Sequence, residues 1–353
     1  MNNYFRDRYQ RLEVLGRGTY GKAFSVNDKW THEKMAVKKL KHDPDGEGLR
    51  QDSIREAIAL TRCAQLANHH DHIVSLKNVI IDDSSMQLVM ECFPMSLGGY
   101  LKANNKIGFR NDHARFWRIA SKIVDAVSFC HKVHIIHRDL KPQNILFDPN
   151  TDSIRICDFG LCRLSLMRSA VLLLSSDDAD STADVSTSES KSAIVDGAPF
   201  CWKDHKEDEM TTHLVTLWYR SPEVASFGES SMRAIFDSTA IDVWSVGCVV
   251  YETFVGEPIF RASEEFDILI AIFKRLGRPS LNIVSKFYSP RFDINTFKKW
   301  QTPQPEEERF GIVKEESELL FDILNNHLLT LNPDDRNLFS TQELIKKAQE
   351  IET

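Results

Sequence analysis

The segment Gly16-Arg17-Gly18-Thr19-Tyr20-Gly21 limits the folds open to this chain more than any other, because two kinds of phosphate-binding loop share its glycine spacing. In a parallel dinucleotide-binding fold, such a loop opens directly into a helix, and an acidic residue follows about 20 positions later. Here strand patterns lie on both sides: Leu12 and Val14 alternate before the loop, and Ala23 to Val26 follow it. The sequence therefore predicts a β-hairpin whose turn can lie over phosphates, and it argues against a nucleotide-binding oxidoreductase.

The chain changes character near Pro94, where short strand patterns give way to long helical ones. Before it, Met35 to Lys38 and Met86 to Met90 have strand patterns, and residues 53–60 carry apolar side chains at helical spacing. After it, apolar residues recur at helical spacing over residues 114–130, 241–254 and 317–329. We therefore expect an α+β fold, with a small antiparallel sheet and one main helix followed by a larger, mostly helical part.

The sharpest chemical signal is the segment His137-Arg138-Asp139-Leu140-Lys141-Pro142-Gln143-Asn144. It resembles the catalytic loop of eukaryotic protein kinases at every defining position. Asp158-Phe159-Gly160 begins 14 residues after Asn144, and Ser221-Pro222-Glu223 comes later. With the glycine-rich loop, Lys38 and Glu56, six elements of that family recur in order, so the chain is identified as a member of the eukaryotic protein kinase superfamily.

The resemblance extends from about Tyr9 to about Ala348 and implies a bilobal protein kinase domain over residues 9–348. The N-lobe is expected at about 9–93 and the C-lobe at about 94–348. The resemblance also implies an enzyme that uses ATP and Mg²⁺ to transfer the γ-phosphoryl group to Ser or Thr of a protein substrate. A pseudokinase scaffold is disfavoured, because the residues on which catalysis depends in the family are all present.

Phosphoryl transfer through a loose transition state depends on positioning and charge neutralisation more than on covalent chemistry. In the kinase frame, Asp139 is expected to accept from or orient the substrate hydroxyl, and Lys141 to reach the transferring phosphoryl group. Asn144 and Asp158 are expected to hold Mg²⁺, because amide and carboxylate oxygens are the ligands that this ion prefers.

Lys38 follows Ala36 and Val37 on the third predicted strand, where it is fitted to hold the α- and β-phosphates. Its expected partner is Glu56 on the first long helix. Two such charges about 4 Å apart gain roughly 4 kcal/mol at an effective dielectric constant near 20, which is enough to orient a flexible lysine.

The adenine pocket departs from the family pattern at one position, since Ala23 stands where valine usually covers the ring. We therefore expect a shallower roof and reduced ATP affinity. Met90 is expected to be the gatekeeper, and Glu91 and Phe93 to offer backbone hydrogen bonds to adenine. The predicted ATP-binding residues are Leu15, Gly16, Arg17, Gly18, Thr19, Tyr20, Gly21, Ala23, Lys38, Glu56, Met90, Glu91 and Phe93.

Two segments, Thr216 to Glu223 and Asp242 to Cys248, resemble the branch that holds cyclin-dependent and mitogen-activated kinases. That branch commonly favours a proline after the phosphorylated residue, so the expected substrate is a protein with a Ser-Pro or Thr-Pro site. Residues 50–56 are similar to the cyclin-contacting helix of cyclin-dependent kinases only at their last three positions. A cyclin-like activating subunit is therefore one alternative, and a mitogen-activated-type or constitutive kinase is the other.

Thr211 lies at the offset of the activating threonine of cyclin-dependent kinases, while His213 replaces the tyrosine of the mitogen-activated group. Three arginines, Arg55, Arg138 and Arg163, could gather around a phosphate there. A phosphothreonine adds a charge of about −1.5 to −2 and strong acceptor oxygens. The sequence thus predicts activation by an upstream kinase that phosphorylates Thr211.

The formal charge of −7 is unevenly spread: residues 164–210 carry −6, and the remainder is nearly neutral. This insert in the activation segment is acidic and serine-rich, so we expect a disordered loop with either a regulatory role or none. The charge balance argues against direct nucleic-acid binding, and no apolar run is long enough for a membrane span. Scattered cysteines favour a reduced, cytoplasmic or nuclear location.

The segment Asn68-His69-His70-Asp71-His72 resembles a metal site when it is considered alone. In the kinase frame it falls on the turn before the fourth strand. Without further nearby ligands, we expect a solvated turn rather than a metal site.

Overall fold

The structure is a computed structural model of the chain. It describes residues 4–18, 21–41, 50–66, 70–82, 85–164, 217–227, 238–312 and 317–351. The predicted sites Thr19, Tyr20 and Thr211, and the insert beyond Leu164, lie outside the described residues.

The N-terminal lobe is built on a five-stranded sheet in the order β1-β2-β3-β5-β4, with every neighbouring pair antiparallel. This arrangement confirms the predicted antiparallel sheet. The strands are β1 Tyr9–Gly18, β2 Gly21–Asp28, β3 Lys34–Lys41, β4 Leu76–Asp82 and β5 Ser85–Glu91. The helix α1, Tyr4–Arg8, precedes the sheet, and α2, Gln51–Leu66, is the main helix of this lobe.

The glycine-rich segment forms the predicted hairpin, since Gly18 pairs with Gly21 and Gly16 with Ala23 across β1 and β2. Gly21 tolerates no side chain, because a Cβ built on it would lie 2.1 Å from the backbone oxygen of Lys39 on β3. The third glycine of the loop is thus required by close packing of neighbouring strands.

The C-terminal lobe is mostly helical, as predicted. Its α-helices are α3 Leu97–Ala103, α4 His113–Lys132, α5 Pro222–Phe227, α6 Ala240–Val255, α7 Glu265–Leu276, α8 Leu281–Phe287, α9 Glu306–Arg309, α10 Glu318–Asp322 and α11 Leu338–Ile351. Its short strands are β6 Met95–Ser96, β7 Ile135–Ile136, β8 Ile145–Asp148, β9 Ser153–Ile156 and β10 Arg163–Leu164. Single turns of 3₁₀-helix lie at Pro142–Asn144, Phe159–Leu161, Leu217–Tyr219 and Pro333–Asp335, and a longer one lies at Ile294–Trp300.

The predicted helices over 114–130 and 241–254 lie within α4 and α6. The helix predicted over 317–329 is found in two parts, because α10 is followed by a π-helix at Ile323–Leu328. The backbone N–H of Leu329 donates to the oxygen of Leu324, five residues earlier, at 2.8 Å. Ile323, Leu324 and Leu328 are all buried in this widened turn.

Helix α6 is the centre of the C-terminal lobe, and every residue from Ala240 to Phe254 is buried. A helix that is buried on all sides must be surrounded by protein, and α4 and the π-helix pack against it. Its largest side chain, Trp244, is fully buried and stacks on Phe260 with ring centroids 5.6 Å apart. This rigid helix supplies the anchor for the catalytic loop described below.

Of the predicted turn at residues 68–72, residues 68 and 69 lie outside the described residues, and His70 is more closely packed than expected. The His70 ring stacks on Phe129 of α4 at 4.4 Å, and its Nε2 lies 3.2 Å from an oxygen of Asp125. The apolar ring of Phe129 therefore gives the imidazole a surface that a solvated turn lacks. Among the described residues, no group of three or more His, Cys, Asp or Glu is arranged to hold a metal ion.

Glu252 is a buried acid on α6, and it accepts a hydrogen bond of 2.6 Å from the hydroxyl of Tyr219. Burial raises the pKa of Glu252 to about 7, and the hydrogen bond from Tyr219 only partly opposes this rise. The folded protein therefore keeps a proton on Glu252 at pH values where the unfolded chain has lost it. The contribution of Glu252 to the free energy of unfolding therefore falls as the pH rises towards 7.

We predict that Glu252→Gln removes this pH dependence. As the pH rises from 5.5 to 8, the free energy of unfolding of wild type should fall by about 2 kcal/mol more than that of the variant. This is the change expected for a carboxyl group with this pKa shift. Urea denaturation at four pH values measures the difference. Glu257→Gln, at an exposed glutamate just after α6, is the control. A constant difference across the pH range for Glu252→Gln would contradict the prediction.

Candidate active site

The ammonium of Lys38 joins β3, α2 and the segment after β9. It lies 2.7 Å from Glu56 Oε2 and 2.8 Å from Asp158 Oδ1. Helix α2 presents Glu56 to the sheet because Ser53, Glu56, Ala59 and Leu60 form its buried stripe. The structure therefore brings together the predicted pair of Lys38 and Glu56 and adds the predicted metal ligand Asp158.

Burial and charge act against each other in this triad. Burial alone would lower the pKa of the Lys38 ammonium, but the charges of Glu56 and Asp158 outweigh it and raise that pKa. Burial would likewise raise the pKa of Asp158, and the positive charge of Lys38 outweighs it and lowers that pKa. Lys38 and Asp158 are both charged at neutral pH, as an ion-binding site requires.

The predicted catalytic side chains meet at the carboxylate of Asp139. Lys141 Nζ donates to Asp139 Oδ2 at 2.8 Å, and Asn144 Nδ2 donates to the same oxygen at 2.9 Å. Asn144 Nδ2 also donates to the backbone oxygen of Asp139 at 2.8 Å. The turn Pro142–Asn144 brings Asn144 back to Asp139, so Lys141 and Asn144 of the same loop both hold its carboxylate.

The catalytic loop is tied to α6 through the fully buried carboxylate of Asp242. The backbone N–H groups of His137 and Arg138 each donate to it at 2.8 Å, and His131 Nε2 lies 2.9 Å from it. Arg138 has φ = 69°, a left-handed conformation that costs a non-glycine residue roughly 1–2 kcal/mol. The two bonds from consecutive backbone N–H groups to Asp242 offset this strain and hold Asp139 in place.

Asp158 also has a left-handed backbone, with φ = 66°, and this turns its carboxylate towards Lys38. The next residue, Phe159, is fully buried, and its ring lies 4.8 Å from that of His137. Gly160 follows, and its backbone oxygen accepts from Arg55 Nη1 at 3.2 Å. The segment Asp158–Gly160 therefore contacts β3, the catalytic loop and α2.

The donor set suits Mg²⁺. Both amide hydrogens of Asn144 are directed to Asp139, so its side-chain oxygen is the group left to bind a cation. Asp158 uses Oδ1 to accept from Lys38, and a carboxylate has capacity for further ligation. Asn144 and Asp158 are thus suited to hold Mg²⁺, which would bind with phosphate oxygens and water as its other ligands.

Several residues predicted to bind adenine lie on strands of the five-stranded sheet. Met90, the predicted gatekeeper, pairs with Ala36 on β3, and Ala23 on β2 pairs with Lys38. Leu15 lies exposed on β1, at the edge of this region. Glu91 ends β5, and Phe93 follows two residues later in the connection to the C-terminal lobe.

Sequence reasoning missed several residues of this region. Ala36 shares a strand face with Lys38, and the half-buried Leu146 of β8 faces away from the buried Ile145 and Phe147. The strand alternation of residues 145–147 was the signal that could have found Leu146. Arg155 was also missed; its Nε donates to Glu91 Oε1 at 3.0 Å.

Two of the three predicted phosphate-gathering arginines, Arg55 and Arg138, affect the titration of Cys162. Burial raises the pKa of the Cys162 thiol to about 12, and the charges of Arg55 and Arg138 partly offset the rise. Arg163 lies on β10, opposite Ile136 on β7. Arg55 donates to the backbone oxygen of Gly160, and the strand partner of Arg163 lies two residues before Arg138. Thr211 itself lies outside the described residues.

Glu223 of α5, the last residue of the Ser-Pro-Glu motif, is fixed by a partner that the sequence did not reveal. Arg336 Nη1 and Nη2 donate to its two carboxylate oxygens at 2.6 and 2.8 Å. Both side chains are almost completely buried. This bidentate pair spans 113 positions of sequence and leaves no local pattern.

The comparisons with known proteins agree with this site. The protein kinase domain family matches residues 9–176 and 200–347, which is most of the chain. The chain therefore belongs to the protein kinase family, and the residues left between the two matched parts fall in the acidic insert.

Among individual proteins, the chain is similar to cyclin-dependent kinase 1 of Encephalitozoon cuniculi (strain GB-M1). The two are 30% identical over 274 residues, which cover 78% of this chain and 76% of that protein. The chain is thus a eukaryotic protein kinase of the cyclin-dependent-like type, which confirms the family predicted from its motifs. Within the described ranges, no helix is both long and apolar enough to cross a membrane.

We predict that Asp242→Asn weakens both the fold and the catalytic loop. The amide offers one oxygen where the carboxylate offers two, and its NH₂ group would face a donor. The free energy of unfolding should fall by about 2–4 kcal/mol. Chemical denaturation measures this loss, with Asp267→Asn at an exposed position of α7 as the matched control. Equal stability of the two variants would contradict the role of Asp242.

Proposed function

We propose that this protein is an active serine/threonine protein kinase that transfers the γ-phosphoryl group of Mg-ATP to proteins. The observation that carries the proposal is the carboxylate of Asp139, which is held by Lys141 at 2.8 Å and Asn144 at 2.9 Å. A carboxylate fixed in this way can align the attacking hydroxyl, and alignment is most of what phosphoryl transfer asks of an enzyme.

Each charged side chain then has a defined task. Asp139 orients the Ser or Thr hydroxyl and accepts its proton, and Lys141 neutralises charge on the transferring group. Lys38, oriented by Glu56, positions the α- and β-phosphates. Mg²⁺, held by Asn144 and Asp158, would supply charge neutralisation between the phosphates.

We also propose a substrate sequence preference, a mode of activation and a cellular location for this kinase. The resemblance of residues 216–223 and 242–248 to cyclin-dependent and mitogen-activated kinases supports a Ser-Pro or Thr-Pro substrate site. The similarity to a cyclin-dependent kinase supports activation by a cyclin-like subunit and by an upstream kinase acting on Thr211. A cytoplasmic or nuclear enzyme fits these partners.

We predict that Asp139→Asn lowers ADP production with a Ser-Pro or Thr-Pro peptide by at least about 100-fold, because the amide cannot accept the hydroxyl proton. The assay compares the variant with wild type, each with and without candidate cyclins. The control is Asp334→Asn, which removes a carboxylate from an exposed surface pair with Lys286. An Asp139→Asn enzyme as active as the control would refute the assigned role.

We predict that Thr211→Ala reduces activity about tenfold or more after treatment with an activating kinase, because charge-assisted bonds from arginine to a phosphate each contribute roughly 1.5–3 kcal/mol. Peptide phosphorylation before and after treatment measures the effect. The neighbouring Thr212→Ala is the matched control. Loss of activation in Thr212→Ala but not in Thr211→Ala would show that Thr211 is not the activating site.

A further inference from the structure

The side chain of Arg155 lies on the opposite face of β9 from its two neighbours in the strand. Ile154 and Ile156, on either side of it, are fully buried, so the alternation of the strand directs Arg155 to the opposite face. On that face it pairs in register with Leu146. Its side chain reaches the connection between the lobes, where Glu91 and Phe93 are expected to bind adenine.

The guanidinium of Arg155 makes three contacts there. Its Nε donates to Glu91 Oε1 at 3.0 Å, its carbon Cζ lies 5.3 Å from the centroid of the Phe93 ring, and its Nη1 donates to the backbone oxygen of Ile154 at 2.9 Å. A planar cation that bonds a carboxylate and lies over an aromatic ring restricts the orientation of both.

Glu91 is fixed from a second direction by Ser75, at the start of β4. The backbone N–H of Ser75 donates to Glu91 Oε1 at 2.8 Å, and the backbone N–H of Glu91 donates to the oxygen of Ser75 at 3.2 Å. The Glu91 carboxylate thus joins β4, the interlobe connection and β9. About 22% of each side chain in the Arg155–Glu91 pair is exposed, so the pair is screened less than a surface ion pair.

The same strand leads directly to the metal-binding end of the site. Ile156 pairs with Ile73, its backbone N–H donates to His72 at 2.9 Å, and Asp158 is two residues further along. Arg155 and Asp158 therefore lie three residues apart on one short, hydrogen-bonded segment. The adenine end and the phosphate end of the cleft are connected through this strand.

Other basic side chains near Arg155 repel its guanidinium, and this repulsion favours its pairing with Glu91. Lys122 of α4 lies close enough that burial, together with the charges of Arg118 and Arg155, lowers the pKa of Lys122 despite the opposing charge of Asp152. The guanidinium of Arg155 has the cations Lys122 and Arg118 on one side and the carboxylate of Glu91 on the other. This asymmetry favours the orientation towards Glu91.

We propose that Arg155 is a positioning residue for the nucleotide. Through Glu91 and Phe93 it fixes the backbone groups that bind adenine at a set distance from Asp158, so that the base and the phosphates are bound together. Arg155 touches neither substrate nor metal, and it acts on binding rather than on the chemical step. This inference rests on the proposed nucleotide-dependent activity.

The test is the dissociation constant of Mg-ADP, measured by calorimetry on the full-length chain, together with KM for ATP and kcat. Arg155→Ala should weaken Mg-ADP binding and raise KM about 5- to 10-fold, while kcat stays within about twofold, as expected from losing one charge-assisted contact. Arg155→Lys should recover part of the affinity, since it keeps the charge but not the planar fork. Glu91→Gln should resemble Arg155→Ala, and the double variant should be no weaker than Arg155→Ala.

Arg118→Ala is the matched control, because Arg118 also pairs with a carboxylate, Asp152, but lies on the exposed side of α4. Equal weakening by Arg118→Ala would mean that overall charge, not hinge position, is responsible, and would overturn the inference. Unchanged Mg-ADP binding in both Arg155→Ala and Glu91→Gln would also overturn it, and so would additive losses in the double variant. If Arg155→Ala fails to fold, Arg155→Lys and Glu91→Gln decide by the same criteria.

The outcomes separate this inference from the proposed function. If wild type binds Mg-ADP but phosphorylates no peptide, the proposed function is wrong, and the Arg155 variants still test the inference through binding alone. If wild type binds no Mg-ADP, both are wrong. If wild type is an active kinase and the Arg155 variants bind normally, only the inference about Arg155 is wrong.

Discussion

The ammonium of Lys38 is the contact on which the arrangement of this cleft depends. It binds Glu56 from α2 and Asp158, which lies 120 positions away in sequence. Lys38 is one cation between two carboxylates; burial raises the pKa of Glu56, whereas the charge of Lys38 lowers the pKa of Asp158. Removing such groups from water costs several kcal/mol per ion, so the arrangement is stable only where further cations or hydrogen bonds compensate. The donor set of Asn144 and Asp158 suits Mg²⁺, which would compensate the charge of Asp158.

The need for compensating partners also applies to the buried acids around the cleft. Asp242 and Glu223 are buried acids, and each is fully engaged: Asp242 by two backbone N–H groups and His131, and Glu223 by both terminal nitrogens of Arg336. Buried ion pairs of this kind add little net stability compared with apolar packing, but losing one partner is costly. We infer that they specify where the catalytic loop and α5 sit on α6, while the apolar core supplies most of the stability.

The sequence predicted what is encoded locally. The hairpin at residues 16–21, the pair of Lys38 and Glu56, and the loop from His137 to Asn144 each follow from spacing within a short segment or from the order of family motifs. Contacts between distant segments left no such signal: Arg155 with Glu91 and Arg336 with Glu223 join strands and helices that are far apart in sequence. His70 was expected to be solvated because the ring of Phe129, which covers it, belongs to another helix.

Ala23 is expected to leave less apolar contact above the adenine ring, which would make the backbone groups of the interlobe connection more important for binding the base. Ala23, in place of the usual valine, removes about two carbon atoms of apolar contact, at roughly 0.8 kcal/mol for each buried methylene. In the proposed binding mode, affinity for the base would depend more on apolar contact with Leu146 and on hydrogen bonds to the backbone of Glu91 and Phe93. Hydrogen bonds are sensitive to direction, whereas apolar contact is not. We infer that a site with less apolar contact above the base gains more from fixed backbone groups in the interlobe connection, and Glu91 and Arg155 are the side chains that we propose to fix them.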